Sequence, residues 1–172
     1  MGRITSLDEI KAEVLAMTGK SKIFRRARPP DVESVLAKLT SKDLDLWAAE
    51  WSRVARPYEE AARAHEQAGR INQAREAYIQ AYTYDAAGRY PLPHSSGKMQ
   101  SFRKSLELYE NAGRYFDPPL KRIEIRFSEI IPAYLRLRRD GKKHQVIINV
   151  GGIDGFKAEA FEYEEAMHRG GA

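Results

Sequence analysis

The chain of 172 residues has no cysteine. Disulfides, thiolate metal centres and a cysteine nucleophile are therefore excluded, and a reducing cytoplasmic compartment is expected. Long apolar runs are missing too. None approaches the roughly 20 residues that a membrane-spanning helix needs, and the opening "MGRITSLDE" has no apolar core of a signal peptide. Gly2 and Ser6 match the loose N-myristoylation pattern, but that pattern is short and common by chance, and the same stretch reads as the start of a capped helix. No membrane partner is expected. Blocks of like charge are few. The 29 basic and 24 acidic residues are interleaved to a net +5, dense only in "KIFRRAR" (Lys22 to Arg28) and "RLRRDGKK" (Arg136 to Lys143). Neither run carries the interleaved aromatics of a single-strand binding surface, so no nucleic-acid partner is expected.

Histidine is scarce as well, with His65, His94, His144 and His168. No two of them bracket a glutamate at helical spacing, so no metal site and no cofactor are expected. "HSSGKM" resembles the tail of a phosphate-binding loop but lacks its first glycine, its hydroxyl residue after Lys98 and a preceding strand. G-x-S-x-G, the strained turn that lifts a serine nucleophile clear of a hydrolase sheet, occurs nowhere. None of the usual catalytic triad is present.

What is there falls into two halves of different period. Up to about residue 116 the chain reads as helices. Ser6 with Glu9 three residues on makes a capping box. "PPDVESVLAKL" opens on prolines and spaces Val32, Val35, Leu36 and Leu39 on one helical face. Leu44, Trp47, Trp51 and Val54 form a further stripe, interrupted downstream by Pro57, which leaves one kinked helix or two. "NQAREAYIQAYTYDAAGRY" and "SFRKSLELYENAGRYF" complete the set, separated by the Pro/Ser/Gly-rich "YPLPHSSGK". "AGRINQAREAYIQA" looks like one tetratricopeptide unit. A single repeat cannot bury a core, so a helical hairpin with a small-residue contact face is the plainer reading.

The second half alternates. "RIEIRF" sets Ile123, Ile125 and Phe127 against charged residues, and "IPAYLRLR" sets Ala133, Leu135 and Leu137 on one face. Asp140-Gly141 marks a polar turn. "QVIINV" (Gln145 to Val150) is apolar at four of six positions, as in a strand covered on both faces. "KAEAFEYEEAMHRG" follows as a helix. Between strand and helix lies "GGIDG", Gly151 to Gly155. Glycines here let the backbone approach a ligand and aim N–H groups outward, as an oxyanion site requires. They equally suit a tight strand-to-helix turn, and the residues by themselves leave both readings open. His94, in the one clear loop, is the histidine placed where substrate contacts commonly sit.

The order of these pieces carries a resemblance. "FDPPLKRIEI", then "IPAYLRLR", then "VIINVGGIDGFKAEAFEYEEAMHRGGA" resembles the entry to an α/β-hydrolase. It is similar to the group with a helical N-terminal segment, which includes the FrsA-like esterases and the 2,6-dihydroxypseudooxynicotine hydrolase-like enzymes. That group shows a Gly-Gly-apolar-acid-Ser-x-Lys-x-Glu pattern after its third core strand. Here the pattern reads Gly151, Gly152, Ile153, Asp154, Gly155, Phe156, Lys157, Ala158 and Glu159, with Gly155 in place of the serine. The resemblance runs from about residue 43 onward.

The fold implied is α/β. A helical cap over residues 1–118 is followed, over 119–172, by the first strands and first helix of a hydrolase core, with the sheet truncated. The resemblance implies that Gly152 and Ile153 supply backbone N–H groups to an oxyanion hole. It makes Asp154 a candidate active-site acid, which also suits the cap of a helix beginning near Phe156. Tyr82 and Tyr90, with Tyr78 and Tyr84, become candidate substrate contacts beside His94; Tyr78 and Tyr82, four apart, equally suit a helix core. The partners implied are a small-molecule substrate and a second copy joined through the cap. The function implied is the N-terminal part of a serine-type hydrolase acting on an ester or an activated, diketone-like C–C bond. The alternative is a non-catalytic, tetratricopeptide-like interaction module. Because the triad's serine, acid and histidine follow the glycine turn in such enzymes, the 172 residues by themselves are expected to be inactive.

Overall fold

The first helix, α1 (Leu7–Met17), begins as its capping box dictates. Ser6 Oγ accepts from the Glu9 amide at 3.1 Å, and Glu9 accepts from the Ser6 amide at 2.9 Å. The computed structural model describes residues 6–20, 22–138, 140–150 and 158. A short 3-10 turn (Lys22–Phe24) leads to α2 (Pro29–Lys38), whose prolines occupy its first turn, where a missing N–H costs nothing. Helix α3 (Leu44–Gln67) is capped by Asp43, which accepts from the amides of Asp45 and Leu46. It runs unbroken through Pro57, so the tryptophan stripe and "YEEAARAHEQ" belong to one helix. Gly69, at φ +69°, makes the left-handed turn into α4 (Ile71–Arg89). After a short loop with a cis Tyr90-Pro91 bond, Ser95 caps α5 (Ser96–Gly113).

Helices α3, α4 and α5 pack together as the main layer. Phe24, Trp51, Tyr84, Ile79, Leu108 and Tyr109 fill it, each fully buried. Phe24 meets Trp51 and Tyr90 with ring centroids 5.6 and 5.5 Å apart. The run "KIFRRAR", basic on paper, thus carries three core residues, Ile23, Phe24 and Ala27. Helix α4 is buried along nearly its whole last half, Ala81 to Arg89, between its two neighbours. Tyr78 and Tyr82 belong to this core, as their spacing allows.

Two antiparallel strands follow, β1 (Leu120–Arg126) and β2 (Ile130–Arg136), in the register Leu120 to Arg136 and Ile123 to Ala133. One end of this hairpin is anchored. Leu120 lies so close to Gly113 that a Cβ there would sit 2.6 Å from its own Cβ. Tyr134 packs on Tyr109 at 5.4 Å and donates to Glu110 at 2.9 Å. Arg136 covers the Phe116 ring and donates to the Asp117 and Pro118 carbonyls. The other end projects into solvent. Phe127 and Leu137, expected on the apolar faces of strands, fall outside them and are exposed.

The expected third strand is a correction. Residues 145–150 form no regular structure, and Val146, Ile148 and Val150 are each about 80% exposed: 78%, 82% and 82%. A strand exists only through a ladder partner on at least one edge, and the described sheet is β1-β2 alone. The apolar composition of "QVIINV" reports burial that no described residue supplies. The helix expected after the glycine turn lies outside the described residues except at Ala158, which is buried and belongs to the hydrophobic core.

Candidate functional site

The glycine turn is the first candidate. Gly152, Ile153 and Asp154 lie outside the described residues. The segment leading to it, 146–150, presents its apolar side chains to solvent.

The second candidate is the connection between α4 and α5, which carries His94 and Tyr90, while Tyr82 lies about two turns back within α4. His94 stands exposed on this loop, its Nδ1 2.9 Å from the Leu92 carbonyl, to which its amide also donates. The Tyr90 ring packs edge-on against Phe24. Tyr82 faces inward, its ring 5.3 Å from that of Tyr109. Between them stands Arg89, a residue not singled out from sequence. Its side chain is buried, and Nη1 donates to the Pro91 carbonyl at 3.2 Å. Burial pushes its guanidinium down to about 10, opposed by the nearby Tyr82 and Tyr90 phenols.

Lys98 is the loop's second buried cation. It sits in the first turn of α5, donates from Nζ to the Tyr90 carbonyl at 2.6 Å, and stands 5.9 Å over the Trp47 ring. Burial lowers its ammonium. Asp45, from α3, closes the loop's other side by accepting from Ser95 Oγ and the Gly97 amide, both at 2.7 Å. Those two bonds hold its carboxyl below the usual range. Ser95, Gly97 and Lys98 in "HSSGKM" therefore form a helix cap and clamp, consistent with the absence of a strand before them. Two cations on consecutive carbonyls and one carboxylate on the cap fix the path of residues 90–98.

Two carboxylates elsewhere each gather a pair of phenols. Asp31 accepts from Tyr58 at 2.6 Å and Tyr84 at 2.5 Å. Glu66 accepts from Tyr78 at 2.6 Å and from Tyr115. The phenols are raised, Tyr84 and Tyr78 chiefly by burial, Tyr78 to about 12. Neutral phenols donating to carboxylates tie helices together; as groups far from ionising they are poor proton acceptors at neutral pH. Between the end of α5 and β1, Glu110, Asn111, Arg114, Leu120 and Arg122 line an open groove of 290 Å³. Among the described residues no three histidine, aspartate or glutamate side chains gather as a metal site would require, and no helix is long and apolar enough to cross a membrane.

No family model matches the chain. A curated relative, the "2,6-dihydropseudooxynicotine hydrolase" of Paenarthrobacter nicotinovorans, is 27% identical over 122 residues, which are 70% of this chain and 33% of the relative. The crystal structure of a 2,6-dihydroxy-pseudo-oxynicotine hydrolase superposes with a TM-score of 0.67 at 20% identity, covering 91% of this chain and 41% of that one. The chain resembles an α/β-hydrolase in sequence and in fold. The superposition takes in the helical layer as well as the hairpin, since 91% of 172 residues cannot be matched without the helices. The chain spans about a third of the length of its curated relative.

Proposed function

We propose that these residues are the N-terminal part of a serine-type α/β-hydrolase. In this reading residues 1–118 form a helical cap, and 119–172 open the core and bring half of the oxyanion hole. Gly152 and Ile153 offer the backbone N–H groups, and Asp154 either orients water or substrate or caps the following helix. The bond cleaved is an ester or an activated C–C bond of the diketone kind, whose leaving carbanion is stabilised as an enolate; one nucleophile and one set of oxyanion donors serve both. The substrate is a small molecule, and Tyr82, Tyr90 and His94 around the 90–95 loop are its candidate contacts from the cap. The cap also joins two copies. The lack of cysteine suits a cytoplasmic setting.

The observation that carries the reading is the agreement of sequence and fold on one kind of relative, with a helical layer preceding the first strands in this chain. The exposed apolar run 146–150 is in keeping with it, because a run so composed calls for burial by neighbours that the described residues do not supply. The test is the natural protein's intact mass and reading frame. A continuation past Ala172 with G-x-S-x-G, then an acid and a histidine, sustains the hydrolase. A natural protein ending at Ala172 overturns it in favour of a helical interaction module.

A further inference from the structure

Asp85 lies on α4 at the centre of the three-helix layer and is 3% exposed. Its carboxylate accepts from Ser52 Oγ of α3 at 2.5 Å, and Ser52 Oγ is 3.2 Å from Ser101 Oγ of α5. One hydroxyl is a thin solvation shell for a buried anion, which has about four acceptor sites to fill. The cation that acts on it is committed elsewhere. Lys104 of α5 bonds Glu59 of α3 at 2.6 Å and Glu107 of α5 at 3.1 Å. Glu59 is also held by Arg63 at 2.5 Å. The charged groups acting on Asp85 are thus Glu59 from α3 and Lys104 and Glu107 from α5. Three carboxylates share the two cations Lys104 and Arg63, and Asp85 is the one that neither salt-bridges.

One turn along α4, Gly88 packs so closely on α5 that a Cβ there would stand 2.8 Å from Ser101 Oγ and 3.1 Å from Ser101 Cβ. A contact this tight leaves no room for water between Gly88 and Ser101, so further hydration of Asp85 from the seam side requires α4 and α5 to part. The seam ends in the 90–95 loop that joins them.

We propose that Asp85 is a proton-operated latch on the α4–α5 seam. Protonated, it keeps α3, α4 and α5 closed around Ser52 and Ser101. Ionised, it draws water into the seam and loosens the loop at its end. Burial acts in the same direction, raising the group from 3.8 to about 6, so the latch turns over just below neutrality. The inference does not depend on the proposed hydrolase activity, since the seam lies wholly within these residues.

The test is amide hydrogen exchange on this chain and its Asp85→Asn variant at pH 7.5 and pH 5.0, corrected for intrinsic rates. At pH 7.5 the variant is expected to exchange on the order of a hundred-fold more slowly than the parent at α4 and α5 amides flanking the seam, a difference that narrows to about ten-fold at pH 5.0 as the folded parent regains its proton. Equal protection at pH 7.5, or a difference of the same size at both pH values, overturns the latch. Should the variant not fold, the Asp85 carboxyl carbon is followed by NMR in the parent chain. A midpoint near 6 with seam amides shifting alongside it supports the proposal; a midpoint below 4.5, or one without seam shifts, contradicts it.

Discussion

Lys98 donates its ammonium to the carbonyl of Tyr90 at 2.6 Å while standing over the Trp47 ring. That bond joins the first turn of α5 to the last residue of α4's exit and fixes the loop between them. Lys98→Ala is expected to destabilise the chain by about 1–3 kcal/mol, the usual cost of a charged hydrogen bond lost from a part-buried carbonyl. Lys98→Met keeps the apolar stem over Trp47 and is expected to cost less. Urea denaturation followed by tryptophan fluorescence reads both. Equal losses would show that the charge, and not the packing, sets the cost.

Gly88 against Ser101 gives a second prediction. Adding a methyl at Gly88 places it 2.8 Å from Ser101 Oγ and 3.4 Å from Trp51 Cβ. Helix propensity alone would make Gly88→Ala stabilising by up to about 1 kcal/mol. Overpacking reverses the sign, for a net loss of about 1–3 kcal/mol. Ser101→Gly in the same chain should recover part of it. A thermal melt in which Gly88→Ala gains stability would show that the seam has slack.

The pH dependence of stability follows from groups shifted in opposite directions. Asp85 is raised from 3.8 to about 6, chiefly by burial. The folded state therefore holds its proton longer than the unfolded state. Stability falls as pH rises from 3.8 to about 6 and stays lower above, by about 3 kcal/mol. Glu66 is held below its usual 4.5 by bonds from Tyr115 and Tyr78. Glu59 is held below 4.5 as well, where bonds from Lys104 and Arg63 outweigh its burial. Their contribution is present above 4.5 and is lost as pH falls below it. The melting temperature should thus climb from pH 7.5 to a maximum near pH 5 and then drop. A melting temperature flat or rising between pH 5 and 7.5 would contradict this assignment.

The run 146–150 gives a prediction about solution behaviour. Four exposed β-branched residues with open backbone edges are a template for pairing with another chain. Light scattering should show self-association of the 172-residue chain that grows with concentration. Ile148→Lys should reduce it without changing the melting temperature, because Ile148 packs on nothing in the described core.

The helical half was legible in the sequence because its signals are local. Ser6 with Glu9 and the Leu44–Val54 stripe act within one or two turns, and the structure uses them as written. The hairpin was legible as two strands, but not which end would be covered, since that depends on Tyr109, Phe116 and Gly113 far back in the chain. "QVIINV" was misread for the same reason: its pattern encodes burial by partners, and partners are not a local property. Asp85 and Arg89 went unnoticed because a charged residue within an apolar helical run looks like a solvated face, and Lys98 was weighed only as part of a phosphate-loop resemblance. The one available signal was Asp85 as the sole charged residue in "YIQAYTYDAAG". Gly152, Ile153 and Asp154 rest on the resemblance alone.

The most direct measurement is activity-based labelling of the natural, full-length protein with a fluorophosphonate, followed by peptide mapping, with the 172-residue chain run alongside. The account predicts a single labelled serine, within G-x-S-x-G and beyond residue 172, and no labelling of the shorter chain. A labelled serine within residues 1–172, or a natural protein that takes no label, would contradict it.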